Sequence, residues 1–95
     1  MLSKIHPKYT LVVTPKEGTE YNPVHDETNG ATATVIDLAV GKRGWIAYCH
    51  EGHWGWDYWH RLHTSFIKNI NVDEETGDIA VETENTIYVL LRIKD

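Results

Sequence analysis

The chain has 95 residues, a formal net charge of −5, and 41 % hydrophobic and 24 % charged residues. That length fits one domain spanning 1–95, and the composition excludes an intrinsically disordered chain. The negative balance excludes a global positive field that would draw in a nucleic-acid polymer, and no apolar run approaches the ~20 residues of a membrane-spanning helix.

The N-terminal residues Met1-Leu2-Ser3-Lys4-Ile5-His6-Pro7 lack the apolar stretch of a signal peptide. The first strand is expected at Tyr9-Thr10-Leu11-Val12-Val13, stopped by Pro15. Residues 16–30 read as a long loop, with Gly18, Asn22-Pro23, Asp26 and Asn29-Gly30 and hardly any aliphatic side chain. A loop of that length in so small a domain is either mobile or functional.

Between Ala31 and Val40 the chain alternates as a strand, although 35–40 can instead close a helical turn. Gly41-Lys42-Arg43-Gly44 reads as a turn with both glycines suited to positive φ, followed by a strand at Trp45-Ile46-Ala47-Tyr48-Cys49. Cys49 is the single cysteine, which excludes an intrachain disulfide and makes a reducing cytoplasm the expected location. The aromatic segment His53-Trp54-Gly55-Trp56-Asp57-Tyr58-Trp59-His60 comes next.

Ser65 to Val72 predicts a strand whose apolar phase breaks between Phe66-Ile67 and Ile70, the mark of a bulge. Asp73-Glu74-Glu75-Thr76-Gly77 predicts a hairpin turn with Gly77 at positive φ. Strands at 78–83 and 86–93, joined by Glu84-Asn85, complete a C-terminal meander. Five or six short strands must curl to hide their edges. The expected fold is therefore mainly β, a small SH3-like barrel or a strongly bent antiparallel sheet. A helix in the 54–64 region packed on the sheet is the alternative.

Val40-Gly41-Lys42, His63-Thr64-Ser65 and Thr83-Glu84-Asn85-Thr86-Ile87-Tyr88-Val89-Leu90 together resemble small uncharacterised β proteins encoded by phages and prophages. Those proteins carry a "VG" turn, a "TS" opening a strand and a "T-x-N-[ST]-x-Y-x-L" hairpin. The resemblance covers roughly residues 38–93. It implies a mobile-element origin, a host-cell cytoplasmic location and the counter-defence role common among small phage proteins. The 16–30 loop and the 49–60 segment have no counterpart in that pattern, so they are where a function peculiar to this chain is first sought.

Residues 49–63 hold four of the six histidines, the cysteine and three of the four tryptophans. His50, His53, His60 and His63 form two His-x-x-His pairs, and imidazole with thiolate suits zinc. Neither pair matches an established zinc-finger or metalloprotease spacing. His50-Glu51-Gly52-His53 is one residue short of His-Glu-x-x-His, and residues three apart on a strand face opposite ways. Surface histidines beside aromatic rings are the preferred reading, with no cofactor. Trp54, Trp56 and Tyr58 alternate and would share one strand face, with Trp45 and Trp59 elsewhere, inside the barrel in the plainest account. So many rings within a short stretch predict at least one exposed aromatic patch.

No phosphate loop, nucleophile elbow, kinase or nuclease signature is present. The leading expectation is a non-enzymatic binding module acting through Trp45, Trp54, Trp56, Tyr58 and Trp59, with Arg43, Arg61 and Lys68 as cations. Its partner would be a host protein, inhibited by occlusion, or a small anionic ligand such as a nucleotide signal, sequestered by rings and guanidinium groups. The alternatives are a metal-dependent hydrolase using the four histidines and a structural protein assembling through strand edges. A homodimer is in keeping with a small aromatic-rich domain.

Overall fold

Alternating apolar side chains need a second layer to cover them, and in this chain the sheet supplies it by closing on itself. The computed structural model describes residues 9–20, 23–49 and 60–93. Six strands follow in chain order: β1 (Tyr9–Pro15), β2 (Thr32–Asp37), β3 (Arg43–Cys49), β4 (His60–Val72), β5 (Ile79–Thr83) and β6 (Thr86–Arg92). Every neighbouring pair is antiparallel, and β6 returns to β1 along its whole length, from Tyr9 opposite Arg92 to Pro15 opposite Thr86. The expected mainly β barrel with a C-terminal meander is the observed fold. Leu11, Ala33, Ile46, Ile67, Val81 and Leu90 fill its centre at 2 % exposure or less. Among the described residues, no helix is long and apolar enough to cross a membrane.

The 16–30 segment is not one loop. A short helix, α1 (Pro23–Thr28), interrupts it, with proline at its first position, where the missing N–H is no loss. Gly30, at φ 85°, turns the chain out of the helix. Its N–H donates to the Leu11 carbonyl (2.6 Å), the Leu11 N–H donates to the Ala31 carbonyl (2.8 Å), and the Val13 N–H donates to Asn29 Oδ1 (2.9 Å). The helix exit thus replaces β2 as the partner of β1, whose pairing with β2 covers only Tyr9 and Thr10.

β4 changes partner midway. Residues up to Phe66 pair with β3, and residues from Ile67 onward pair with β5. Register shifts fall between Arg43 and Trp45 on the β3 side and between Ile67 and Asn69 on the β5 side, so the expected bulge is present. The residues from His60 to Ser65 are strand, not helix. Gly77 adopts φ 82° and Gly41 φ 86°, as their turns require, but Gly44 does not take positive φ. Space, not backbone handedness, favours a glycine there, because any larger residue makes two core side chains move. A Cβ at Gly44 would lie 2.8 Å from Leu38 Cδ2 and 2.9 Å from Ile67 Cδ1. The Gly44 N–H donates to Thr64 Oγ1 (2.8 Å), and the Thr64 hydroxyl donates to the Ser65 carbonyl (2.7 Å).

Gly44→Ala is therefore an overpacking substitution at the partner exchange. It should lower stability by about 1–3 kcal/mol in urea unfolding. Equal stability of the two proteins would show that Leu38 and Ile67 yield freely.

Candidate functional site

The strand parity of β3 and β4 sorts the expected site residues onto two faces. Ile46, Tyr48 and Leu62 point into the core, so Trp45, Arg61 and His63 point outward. Trp45 is not inside the barrel: it lies on the outer wall, 36 % exposed. Its indole stacks on the His63 ring directly opposite, with centroids 3.8 Å apart and planes 5° from parallel. Arg61 stands opposite Ala47 on the same wall, one outward position along from His63. Arg43 pairs with Phe66, and its Nε donates to the Thr64 carbonyl (2.9 Å). Lys68 sits farther along, at the second register shift, where its charge reaches Glu82.

Trp45 and Phe66, the latter 59 % exposed, are the exposed aromatic rings of this wall among the described residues. Ile36 lies beside Trp45 at the β2 register shift. Val40 precedes the point where the β2–β3 turn is tied to β4, with Gly41 N–H donating to the Ile67 carbonyl (2.8 Å) and Ile67 N–H to the Lys42 carbonyl (2.9 Å). Ile36 and Val40 are 52 % and 59 % exposed, so this wall carries four of the six exposed large hydrophobic side chains among the described residues. Trp54, Trp56, Tyr58 and Trp59 lie outside the described residues, as do His50 and His53.

His60 and His63 do not converge. His60 faces the core side, its ring 5.5 Å from that of Tyr48, while His63 is committed to Trp45 on the outer side. Among the described residues, no group of three or more His, Cys, Asp or Glu side chains is placed to hold a metal ion. Cys49 is fully buried and bonds with the Thr32 hydroxyl (3.1 Å). Burial pushes its thiol pKa up, against a smaller lowering from Thr32. A thiol in that setting is a poor nucleophile.

A cleft of about 930 Å³ adjoins the wall. Leu62, His63 and Ser65 of β4 form one side, with Arg43 at the rim they share with Trp45. The 16–20 turn and His25 of α1 form the other side. The β5–β6 turn supplies the floor, where Thr83 Oγ1 donates to the Thr86 carbonyl (2.9 Å) and accepts the Thr86 N–H (3.2 Å). The Asn85 carbonyl accepts the Lys16 N–H (2.9 Å) and the Thr19 hydroxyl (3.1 Å), fastening the 16–20 turn to that floor. His25 stands edge-on to Tyr88, with Nε2 3.4 Å from the Thr86 hydroxyl, and its buried Nδ1 has no hydrogen-bond partner.

Sequence reasoning did not select His25, Ser65, Thr86 or Tyr88. The usable signal lay in the motif segments 63–65 and 83–88, read there as strand and turn chemistry. Thr64 and Thr83 do serve structure, whereas His63, Ser65, Asn85, Thr86 and Tyr88 between them face one cleft.

The His63 pKa is lowered, first by partial desolvation and then by the Arg43 charge. The folded state therefore favours the neutral ring. The resulting stabilisation is present above the ordinary histidine pKa and is lost as pH falls through the folded value. Arg43→Gln should move the His63 titration measured by NMR back toward its ordinary value. An unmoved titration would show that Arg43 does not act on this ring. Cys49 should react with a thiol reagent only at the rate of unfolding, and prompt labelling of the native protein would overturn its placement. Comparison with known protein families, curated proteins and solved structures finds no match, so the site is read from its own chemistry.

Proposed function

We propose that the chain is a non-enzymatic binding module that occludes a protein partner with the outer wall of β2, β3 and β4. The observation that carries this reading is Trp45, held flat on His63 in the middle of an apolar patch on an open wall. A ring fixed by stacking has little side-chain entropy left to lose on association, and Trp and Arg dominate the energetics of protein interfaces. Ile36, Val40 and Phe66 supply the surrounding apolar area, and an exposed cluster of this kind is a recognised mark of an interaction surface.

Charge gives the partner its character. Lys42, Arg43, Arg61 and Lys68 are four of the six lysines and arginines among the described residues, Lys16 and Arg92 being the others. Lys42, Arg43 and Arg61 lie on or beside this wall, with Asp37 engaged by Lys42 (3.3 Å), while Lys68 lies farther along β4 near Glu82. In a chain of net charge −5 this is a local reversal of sign, which suits an acidic protein surface with an apolar centre. The resemblance to phage-borne β proteins supports a host protein as the target and counter-defence as the purpose. Sequestration of a nucleotide has weaker support, because the ring lies on the wall and not in the cleft. Within the cleft, Lys16 is paired with Glu82 (2.6 Å) and Glu17, Glu20 and Glu84 offset Arg43.

Affinity capture from host cells with wild-type protein, Trp45→Ala and Arg61→Glu tests the proposal. A partner retained by wild type should be lost on Trp45→Ala, a change of about 2 kcal/mol or roughly 30-fold in Kd, with the fold intact by circular dichroism. Capture that is equal for all three proteins would overturn it.

A further inference from the structure

We infer that the cleft beside Trp45 is a berth for an extended peptide segment of the partner, which pairs with the free edge of β4. This rests on the reading of the chain as a protein-binding module and states how the partner is held.

The cleft exists because β4 and β5 differ in length. β4 has thirteen residues and β5 has five, and their pairing begins only at Ile67 opposite Thr83. From His60 to Phe66, β4 has β3 on one side and no described strand on the other. The gap lies where a continuation of β5 would run, and it is bounded by the 16–20 turn and α1. In an antiparallel ladder alternate residues direct both N–H and C=O away from their partner strand. Half of the residues in this stretch therefore offer backbone donors and acceptors toward the gap. Among the described residues, no backbone group outside β3 pairs with this edge, and the two carbonyls taken by side chains, Thr64 by Arg43 Nε and Ser65 by Thr64 Oγ1, lie at its far end. At about 3.3 Å per residue the free edge is ~20 Å long, enough for an added strand of about six residues.

The lining fits that occupant better than a compact anion. Arg43 and the His63 ring, which can donate a hydrogen bond, lie on one side, whereas Glu17 and Glu20 lie across the cleft and Glu84 at its floor. A polyanion would meet three carboxylates. An extended peptide can place acidic side chains toward Arg43 and basic ones toward the glutamates, while its backbone pairs with β4. Added strands gain affinity from such main-chain bonds and specificity from the pockets for alternate side chains. The His25–Thr86–Tyr88 cluster and Leu62 give the cleft a mixed polar and apolar lining against which a side chain of the peptide can pack.

The test uses short peptides selected from a random library on the full chain. The tightest is then synthesised with N-methyl groups on either the odd or the even backbone amides. One phase of methylation should weaken binding about tenfold or more and the other should leave it near unchanged, because only alternate amides face β4. NMR amide shifts and exchange protection should centre on 60–66. Failure to select any peptide, indifference to both methylation phases, or protection confined to residues 36–45 would overturn the strand berth. If Trp45→Ala abolishes partner capture while the methylation phases are equivalent, the binding module stands and the strand berth falls.

Discussion

Gly44 and Thr64 meet where β4 leaves one neighbour for another, and this contact decides how one strand can serve two sides of a barrel. A strand of thirteen residues extends over about 40 Å, too long to stay straight in a domain of this size. The bend needs room beside the β3 backbone for neighbouring core side chains and a place where an interrupted ladder still has its polar groups satisfied. Glycine supplies the room between Leu38 and Ile67, and the Thr64 hydroxyl takes the N–H that the ladder has dropped. A buried N–H left without that acceptor would cost about 1–3 kcal/mol, comparable to a core methyl group or two. Thr64 is accordingly 1 % exposed despite being polar.

Both candidate binding features follow from that bend. The shift in register turns Arg43 against the Thr64 carbonyl and leaves Phe66 on the outer wall, so a cation and an exposed ring are neighbours. The same exchange delays the pairing of β4 with β5 and leaves the first half of β4 with one open edge. Open edges are hazards for a small β protein, and natural proteins protect them with charge, bulges or a covering element. Here α1 and the 16–20 turn stand opposite the edge without pairing to it, held off by the Asn85 carbonyl and the Thr86–His25 contact. A gap kept open in this way is a specific arrangement and differs from an edge left bare.

The strands were legible because their signals are local. Val81 and Tyr88 fall at the alternation their neighbours dictate, and Gly77 sits where a hairpin needs positive φ. The site was not legible, since it depends on which strands become neighbours after the chain closes. Trp45 reads from the sequence either as a binding ring or as a core ring, and only the parity fixed by Ile46 and Tyr48 decides that it faces outward. Gly44 was expected at positive φ, because nothing in its neighbourhood announces that Ile67 will pack against it. α1 escaped notice because six residues beginning with proline show no hydrophobic period. The segments 63–65 and 83–88 were noticed together, yet their convergence on one cleft appears only when β4, β5 and β6 lie side by side.

Arg43 and His63 belong to the wall and to the cleft at once, and this sharing bears on how one partner would use both. His63 presents one ring face to Trp45, and desolvation and the Arg43 charge lower its pKa, so the permanent positive charge at the rim is Arg43 itself. One of its donors is already engaged with the Thr64 carbonyl, which anchors the guanidinium at the partner exchange and leaves its terminal nitrogens available. A charge anchored in that way reports on both surfaces, so removing it should disturb wall contacts and cleft contacts together. Trp45 belongs to the wall alone and His25 to the cleft alone. Coupling between these two in a double-mutant cycle would therefore have to pass through the Arg43–His63 rim, whereas additive effects would mean that a partner reads the two surfaces independently.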